Sequence, residues 1–340
     1  MWHKVTIGIP VFRVENYIRR TMESVLSQSY GDIEFLVVDD GSDDKSLEIL
    51  YSIQQSHPRG KDIRILSHEY NMGVSATRNH IIDEAQGEYL YFTDSDDVID
   101  KYTISLLMSQ IEEHHADVVF GSYERIELSG ERKLFQYPKM VFEDADSFAD
   151  YAYKRYAGFQ ASACNFLVRL SLIRQKNLRF FKSDFWEDMV FTLNLVTYAQ
   201  RAVLLPDITY TYLCRENSLS NSWNNSQIDK EKIIQFFKAI ELFKDKDDGV
   251  RFKSYYSNRC YIALMSDVYI ICNVHKKNRY IVPAFSEREL YRYLCHPAKF
   301  LEILSFKQRR MQNIVLYLLG KLPAGLSLFL IRLFAKYKGL

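Results

Sequence analysis

Along the first 120 positions, apolar residues fall into short strand-like runs separated by stretches at helical spacing. Val5-Thr6-Ile7-Gly8-Ile9 reads as a buried strand stopped by Pro10. Ile18, Met22, Val25 and Leu26 recur at helix spacing, and Ile33 to Val38 forms a second strand that ends in Asp39-Asp40-Gly41-Ser42. Leu47, Leu50 and Ile53 mark a helix, and Ile63 to Leu66 a third strand. Val74, Arg78, Ile81 and Ala85 then share one helix stripe. Tyr89 to Thr93 is a fourth strand, Ile104, Leu107 and Ile111 a helix, and Val118 to Phe120 a fifth strand. Strands alternating with helices predict βαβ units: an α/β class, with a mostly parallel sheet and flanking helices. Ligands of such sheets sit at the carboxyl ends of strands. Pro10, Asp39/Asp40 and Asp94/Asp96 all stand at such ends.

Beyond residue 120 the pattern changes. Tyr123–Leu128, Ser129-Gly130 and Arg132–Tyr137 have the form of a hairpin. Residues 147–156 and about 186–199 read as helices, and Asn165–Arg169 and Ala202–Leu205 as short strands. Ser218 to Ser226 is rich in Ser and Asn and reads as a linker. From Ile228 onward the chain is largely helical, broken near Pro283 and Pro323. The expected organisation is an α/β domain over 1–220 and a helical region over 221–340.

Composition is that of a globular chain, 47% hydrophobic and 26% charged over 340 residues. A net charge of +1 argues neither for nor against nucleic acid, and no such partner is expected. Aromatics at 14% suit a core plus a carbohydrate- or membrane-facing surface. The five cysteines form no C-x-x-C pair, so no zinc site or disulfide framework is readable. Met1-Trp2-His3-Lys4 leads straight into a strand with no signal-peptide core, so the expected location is the cytoplasm.

The chemistry gathers at Tyr89-Leu90-Tyr91-Phe92-Thr93-Asp94-Ser95-Asp96-Asp97, where a strand ends in three carboxylates. In extended chain, Asp94 and Asp96 point to one side. Without a cation they repel by roughly 1–4 kcal/mol at ~4 Å. Mg²⁺ typically binds through one or two carboxylates plus substrate phosphates and water. The alternative is a solvated acidic turn that caps the next helix. Phe12, in Pro10-Val11-Phe12-Arg13-Val14-Glu15, can stack on a nucleobase or join the core. Asp40 can accept the N3–H of a uracil, or the Asp pair is solvated beside a helix cap at Ser42 or Asp43. Arg78, in Asn71-Met72-Gly73-Val74-Ser75-Ala76-Thr77-Arg78-Asn79, can neutralise a diphosphate, pin a carboxylate, or lie on the surface.

In this order and spacing, these residues resemble the family 2 glycosyltransferases of the GT-A fold, of the bacterial polysaccharide type. The match is strong over residues 4–125 and looser over 160–220. The resemblance implies an inverting, metal-dependent hexosyltransferase with Mn²⁺ or Mg²⁺. It implies a nucleotide-sugar donor, a UDP-sugar by expectation, and a glycan or lipid-linked saccharide acceptor. Donor contacts are then expected from Pro10, Phe12, Glu15, Asp40, Arg78, Asp94, Ser95, Asp97 and Arg215, and metal ligation from Asp96. The catalytic base is sought in a Glu-Asp pair opening a later helix, here Trp186-Glu187-Asp188, and Asp188 is the nominee. Asp184-Phe185-Trp186-Glu187 is also a possible capping box, which would make Glu187 structural. Arg215 reaches donor or acceptor, or else forms an interdomain ion pair. Many members carry Tyr-Asn where this chain has Phe12-Arg13, which keeps a stacking ring and loses a hydroxyl.

Three other classes fit an acidic metal site or a sugar ligand. A sugar nucleotidyltransferase would carry a Gly-rich basic loop after strand one, and Pro10–Glu15 has no Gly. A dehalogenase-type phosphatase uses D-x-D after its first strand, not its fourth. A non-catalytic sugar- or membrane-binding protein would bind without turnover. Residues 307–340 hold seven Lys/Arg and no Asp/Glu, with apolar runs too short for the ~20 residues of a membrane span. This end either lies on an anionic membrane surface, on the cytoplasmic face of the inner membrane, or packs as a helix pair on the main domain.

Overall fold

Every residue of β1 (Val5–Val11) and β2 (Ile33–Asp39) is buried, so both faces of these strands must be covered by helices. The chain supplies them in alternation: α1 (Ile18–Leu26), α2 (Ser46–Ser56), β3 (Ile63–Ser67), α3 (Val74–Glu84), β4 (Tyr89–Phe92), a short β5 (Val98–Ile99) and α4 (Thr103–His114). There follow β6 (Val118–Ile126), β7 (Arg132–Phe135), β8 (Met140–Phe142), α5 (Ala145–Lys154), β9 (Phe166–Arg169), α6 (Leu170–Gln175), α7 (Glu187–Tyr198) and β10 (Ala202–Leu213). The computed structural model describes residues 3–155, 158–183, 186–215, 227–245 and 249–338.

The main sheet runs β3-β2-β1-β4-β9-β6-β10-β5. From β3 to β4 all pairs are parallel, whereas β9 lies antiparallel between β4 and β6. The hairpin expected over 123–137 is present as β6 and β7. Pro10 does not stop the first strand, which continues to Val11 opposite Asp39. The Gly8 carbonyl points toward β4 and accepts from Thr93, so the nitrogen of Pro10, two residues on, points the same way. Pairing with β4 reaches only Gly8↔Phe92, so the missing N–H at Pro10 breaks no ladder bond.

The chain forms two compact units. The first, Met1–Phe148 with Gln160–Lys182 and Glu187–Ser218, holds this sheet. The second comprises Ala149–Phe159, Ser183–Trp186 and Leu219–Leu340. The linker expected over Ser218–Ser226, and with it the boundary at 220/221, lies outside the described residues. The second unit contains β11 (Ile228–Asp229) parallel to β12 (Ile281–Val282), with α8 (Lys230–Asp245) and α9 (Tyr256–Lys277). It continues with α10 (Glu287–Tyr291), α11 (Phe300–Leu304), α12 (Arg310–Leu319) and α13 (Ala324–Lys338). In its core, Lys244 Nζ lies 2.5 Å from Asp267 Oδ2 and donates to the Tyr293 carbonyl at 2.8 Å. Burial pushes the Asp267 carboxyl up to about 7 against the pull of Lys244.

Candidate active site

The acidic turn between β4 and β5 is held from two sides. The Thr21 hydroxyl of α1 lies between the carbonyls of Ser95 at 3.0 Å and Asp97 at 2.8 Å. Asp97 is fully buried; its Oδ2 accepts from the Tyr210 hydroxyl at 2.6 Å and its Oδ1 from the Leu213 N–H at 2.8 Å. Burial, then the charges of Asp96 and Asp94, hold the Asp97 carboxyl well above the usual range. Asp97 therefore spends both oxygens fastening the end of β10 to the turn. Ser95 is buried and contributes its backbone. The side chains left facing outward are Asp94 and Asp96, 32% and 16% exposed.

Arg78, buried on α3, draws in two distant carboxylates. Its Nη2 donates to Asp94 Oδ1 and its Nη1 to Glu187 Oε1, each at 2.9 Å. Burial works against its charge, but Asp94 and Glu187 outweigh that and keep the guanidinium cationic. Its guanidinium carbon lies 5.3 Å from the centre of the Phe180 ring. The fork brings the end of β4 and the start of α7 to one place, although 109 positions separate Arg78 from Glu187.

Asp188 follows directly, with its Oδ1 accepting from the Met189 N–H at 2.7 Å. Burial raises its carboxyl above the ordinary 3.8; Arg78 and that N–H pull down, and Asp94 pushes up. Burial and then Asp188 push Glu187 up to about 8 against Arg78. Two adjacent carboxyls with raised affinity for protons mark this pair as a candidate for proton transfer. The backbone enters α7 through Trp186 at φ +71°, a left-handed conformation rare for a bulky side chain. Asp184 and Phe185 of the possible capping box lie outside the described residues.

The loops after β1 and β2 are clasped together. Glu15 Oε2 accepts from the Lys45 N–H and Asp44 Oδ2 from the Glu15 N–H, both at 3.0 Å. Arg13 takes φ +50° and forks onto Asp43 at 2.6 and 2.7 Å. Phe12 is half-buried, with the Arg13 guanidinium 5.0 Å from its ring centre. Pro10 is buried in β1.

The two aspartates of Asp39-Asp40 divide their work. Asp40 accepts from the N–H groups of Met72 at 2.9 Å and Gly73 at 2.8 Å, and its Oδ1 lies 2.7 Å from His68 Nδ1. It thereby anchors the loop before α3. Asp39 is equally buried and its Oδ2 accepts from the Ser42 N–H at 3.1 Å, but its Oδ1 has no hydrogen-bond partner among the described residues. An unsatisfied buried carboxylate oxygen at a strand end awaits a donor. The turn that follows the pair needs Gly41 at φ +70°, where a Cβ would come within 2.8 Å of the Tyr70 backbone. Sequence reasoning singled out Asp40; period-two alternation shows that only one of the pair can face the site, but not which one.

Asp96 forms an ion pair with Arg215, whose guanidinium carbon lies 5.2 Å from the Tyr17 ring centre. Of the segment 212–220, only 212–215 lies within the described residues. A cavity of about 250 Å³ opens here, lined by Tyr17, Arg20, Asp96, Leu213, Arg215 and the tip of the β6–β7 hairpin. Burial and the charge of Asp94 raise the Asp96 carboxyl, with Arg215 opposing. Among the described residues, no three His, Cys, Asp or Glu converge as a complete metal cage. One or two hard carboxylate oxygens are nonetheless what Mg²⁺ or Mn²⁺ takes from a protein when phosphates supply the rest, so Asp96 and Asp94 fit such an ion.

Comparison with known proteins gives a consistent answer. The family model "Glycosyl transferase family 2" matches residues 6–175. The uncharacterized glycosyltransferase EpsJ of Bacillus subtilis is 30% identical over 70% of this chain and 69% of its own length. Glycosyltransferase GlyA of Streptococcus pneumoniae is 32% identical over 65% of this chain, a match that spans 32% of GlyA. The crystal structure of Staphylococcus aureus TarS residues 1–349 in complex with UDP-GlcNAc superposes with a TM-score of 0.59 at 19% identity, covering 93% of this chain and 90% of that one. The fold is therefore that of the GT-A glycosyltransferases. With half its length inside the family model and a relative such as EpsJ aligned over most of its own sequence, the chain belongs to glycosyl transferase family 2.

Proposed function

We propose that the chain moves a sugar from a UDP-sugar to a hydroxyl of a glycan or lipid-linked saccharide in cell-surface polysaccharide assembly. Transfer occurs in one displacement that inverts the anomeric carbon, and Asp96 and Asp94 would hold Mg²⁺ or Mn²⁺. The observation that carries this reading is the Arg78 fork, which gathers the donor-side carboxylate Asp94 and the Glu187-Asp188 pair into one site. The TarS structure with UDP-GlcNAc supports a uridine donor.

The open oxygen of Asp39 reads the base by accepting the N3–H of uracil, while Phe12 supplies a ring face. Cytosine presents a lone pair at N3 and would meet a carboxylate. Asp39→Ala is expected to weaken UDP binding roughly 10- to 100-fold, the range of a charge-assisted hydrogen bond. Isothermal titration checks this, and unchanged UDP affinity would remove Asp39 from the base site.

A bound divalent cation supplies Lewis-acid neutralisation of the diphosphate. Arg215, paired with Asp96, would add its positive charge on the same side. Asp188 takes the proton from the acceptor hydroxyl as its oxygen bonds to the anomeric carbon; the bond from that carbon to the diphosphate oxygen breaks, and UDP leaves. Burial strengthens Asp188 as a base for this step. UDP titrations with Mn²⁺ or with EDTA test the metal site. Asp96→Ala should abolish the metal-dependent part of the affinity, and a variant that keeps it would exclude Asp96 as a ligand. The expected place of action is the cytoplasmic face of a membrane carrying the acceptor.

A further inference from the structure

Helix α13 is apolar on two sides. It buries Leu328, Ile331 and Ala335, and on the opposite side it exposes Leu326, Phe329, Leu330, Leu333 and Tyr337, each 37–85% accessible. On α12, Met311, Val315 and Leu318 form a second stripe at i, i+4 and i+7, with exposures of 67%, 54% and 49%. A helix that packs only on its own protein carries polar residues on its outer face. Here the outer face is apolar and the charge beside it has one sign, since residues 307–340 contain seven Lys/Arg and no Asp/Glu. Arg332 is paired with Glu287 at 2.9 Å, whereas Lys321, Lys336 and Lys338 are exposed and have no ion pair among the described residues. At 10 and 15 residues, both helices fall short of the ~20 a span requires, and among the described residues no helix is long and apolar enough to cross a membrane.

We propose that α12 and α13 lie flat on an anionic bilayer. Leu326, Phe329, Leu330 and Leu333 enter the boundary between headgroups and acyl chains, and Lys321, Lys336 and Lys338 meet lipid phosphates. Charge selects this occupant over a second copy of the chain. A two-fold contact sets the same patch against itself, so Lys321, Lys336 and Lys338 would face their own copies with no carboxylate in either 307–340 segment. The inference deepens the membrane placement proposed above and stands apart from the donor chemistry.

Co-sedimentation of the full chain with vesicles tests it. Vesicles of phosphatidylglycerol and phosphatidylcholine should bind the chain roughly tenfold or more tightly than phosphatidylcholine alone, and added salt should erode the difference. Leu330→Ser with Leu333→Ser should lower anionic-vesicle binding roughly tenfold or more while thermal stability and UDP affinity hold, because both side chains are exposed. Equal binding of variant and wild type, or no preference for anionic lipid, would overturn the proposal. So would light scattering that shows a dimer dissociated by the same substitutions. Vesicle binding is read without donor, so a failed UDP titration leaves it intact, and a failed vesicle assay leaves the donor site intact.

Discussion

Asp188→Asn is expected to lower sugar transfer roughly 10²- to 10⁴-fold, the usual contribution of a general base, while UDP affinity moves by less than about twofold. Asparagine keeps the size of aspartate and an oxygen that can accept from the Met189 N–H at the start of α7. It loses the ability to take a proton. Rate and donor binding therefore separate only if Asp188 acts on the acceptor. The pH profile carries the same signature. A base must be ionised, and burial raises this carboxyl above the ordinary 3.8, so activity should fall on acidification before normal carboxylates titrate. Glu187→Gln is the contrast: glutamine retains an acceptor for Arg78 and should preserve that acid limb. If Asp188→Asn lost UDP binding as severely as rate, its role would be structural.

Arg78→Met is expected to destabilise the first unit by about 3–5 kcal/mol, the effect of removing one partner from a buried ion pair. Glu187 is nearly fully buried and would be left beside Asp188 without its cation. Asp94 is about one-third exposed and would suffer less. Denaturant titration measures the loss, and combining Arg78→Met with Glu187→Gln should recover part of it. Activity should not return with stability, because Asp94 stays untethered from α7. Arg78→Lys should also fall short, since one ammonium point cannot reproduce a fork across two carboxylates. A stable, active Arg78→Met protein would mean that the fork does not organise the site.

The strand ends were legible because local rules govern them. Apolar runs closed by Asp or Pro placed β1, β2 and β4, and alternation put Asp94 and Asp96 on one side of the chain. Asp97 was not legible, because its partners Tyr210 and Leu213 come from β10, more than a hundred residues away. Nor was the length of β10, whose course from Ala202 to Leu213 is fixed by pairing with β6 and β8 rather than by a continuous apolar run. The choice between Asp39 and Asp40 depends on where the 68–73 loop returns, a tertiary fact. Arg78 stood out by type and position, but both of its partners required the fold. Arg13 shows a departure being absorbed: a left-handed position that suits asparagine is held here by a bidentate pair with Asp43.

Direct displacement at the anomeric carbon of a UDP-sugar, within the site gathered by Arg78, would leave a stereochemical signature. Proton NMR of slow UDP-sugar hydrolysis tests it without a known acceptor. UDP-glucose, UDP-galactose and UDP-GlcNAc, all α-linked, are each incubated with the protein and Mn²⁺. One of them is expected to release the β-sugar first, before mutarotation, and Asp188→Asn to suppress this release. Initial release of the α-sugar, or β-sugar release undiminished in Asp188→Asn, would contradict that mechanism.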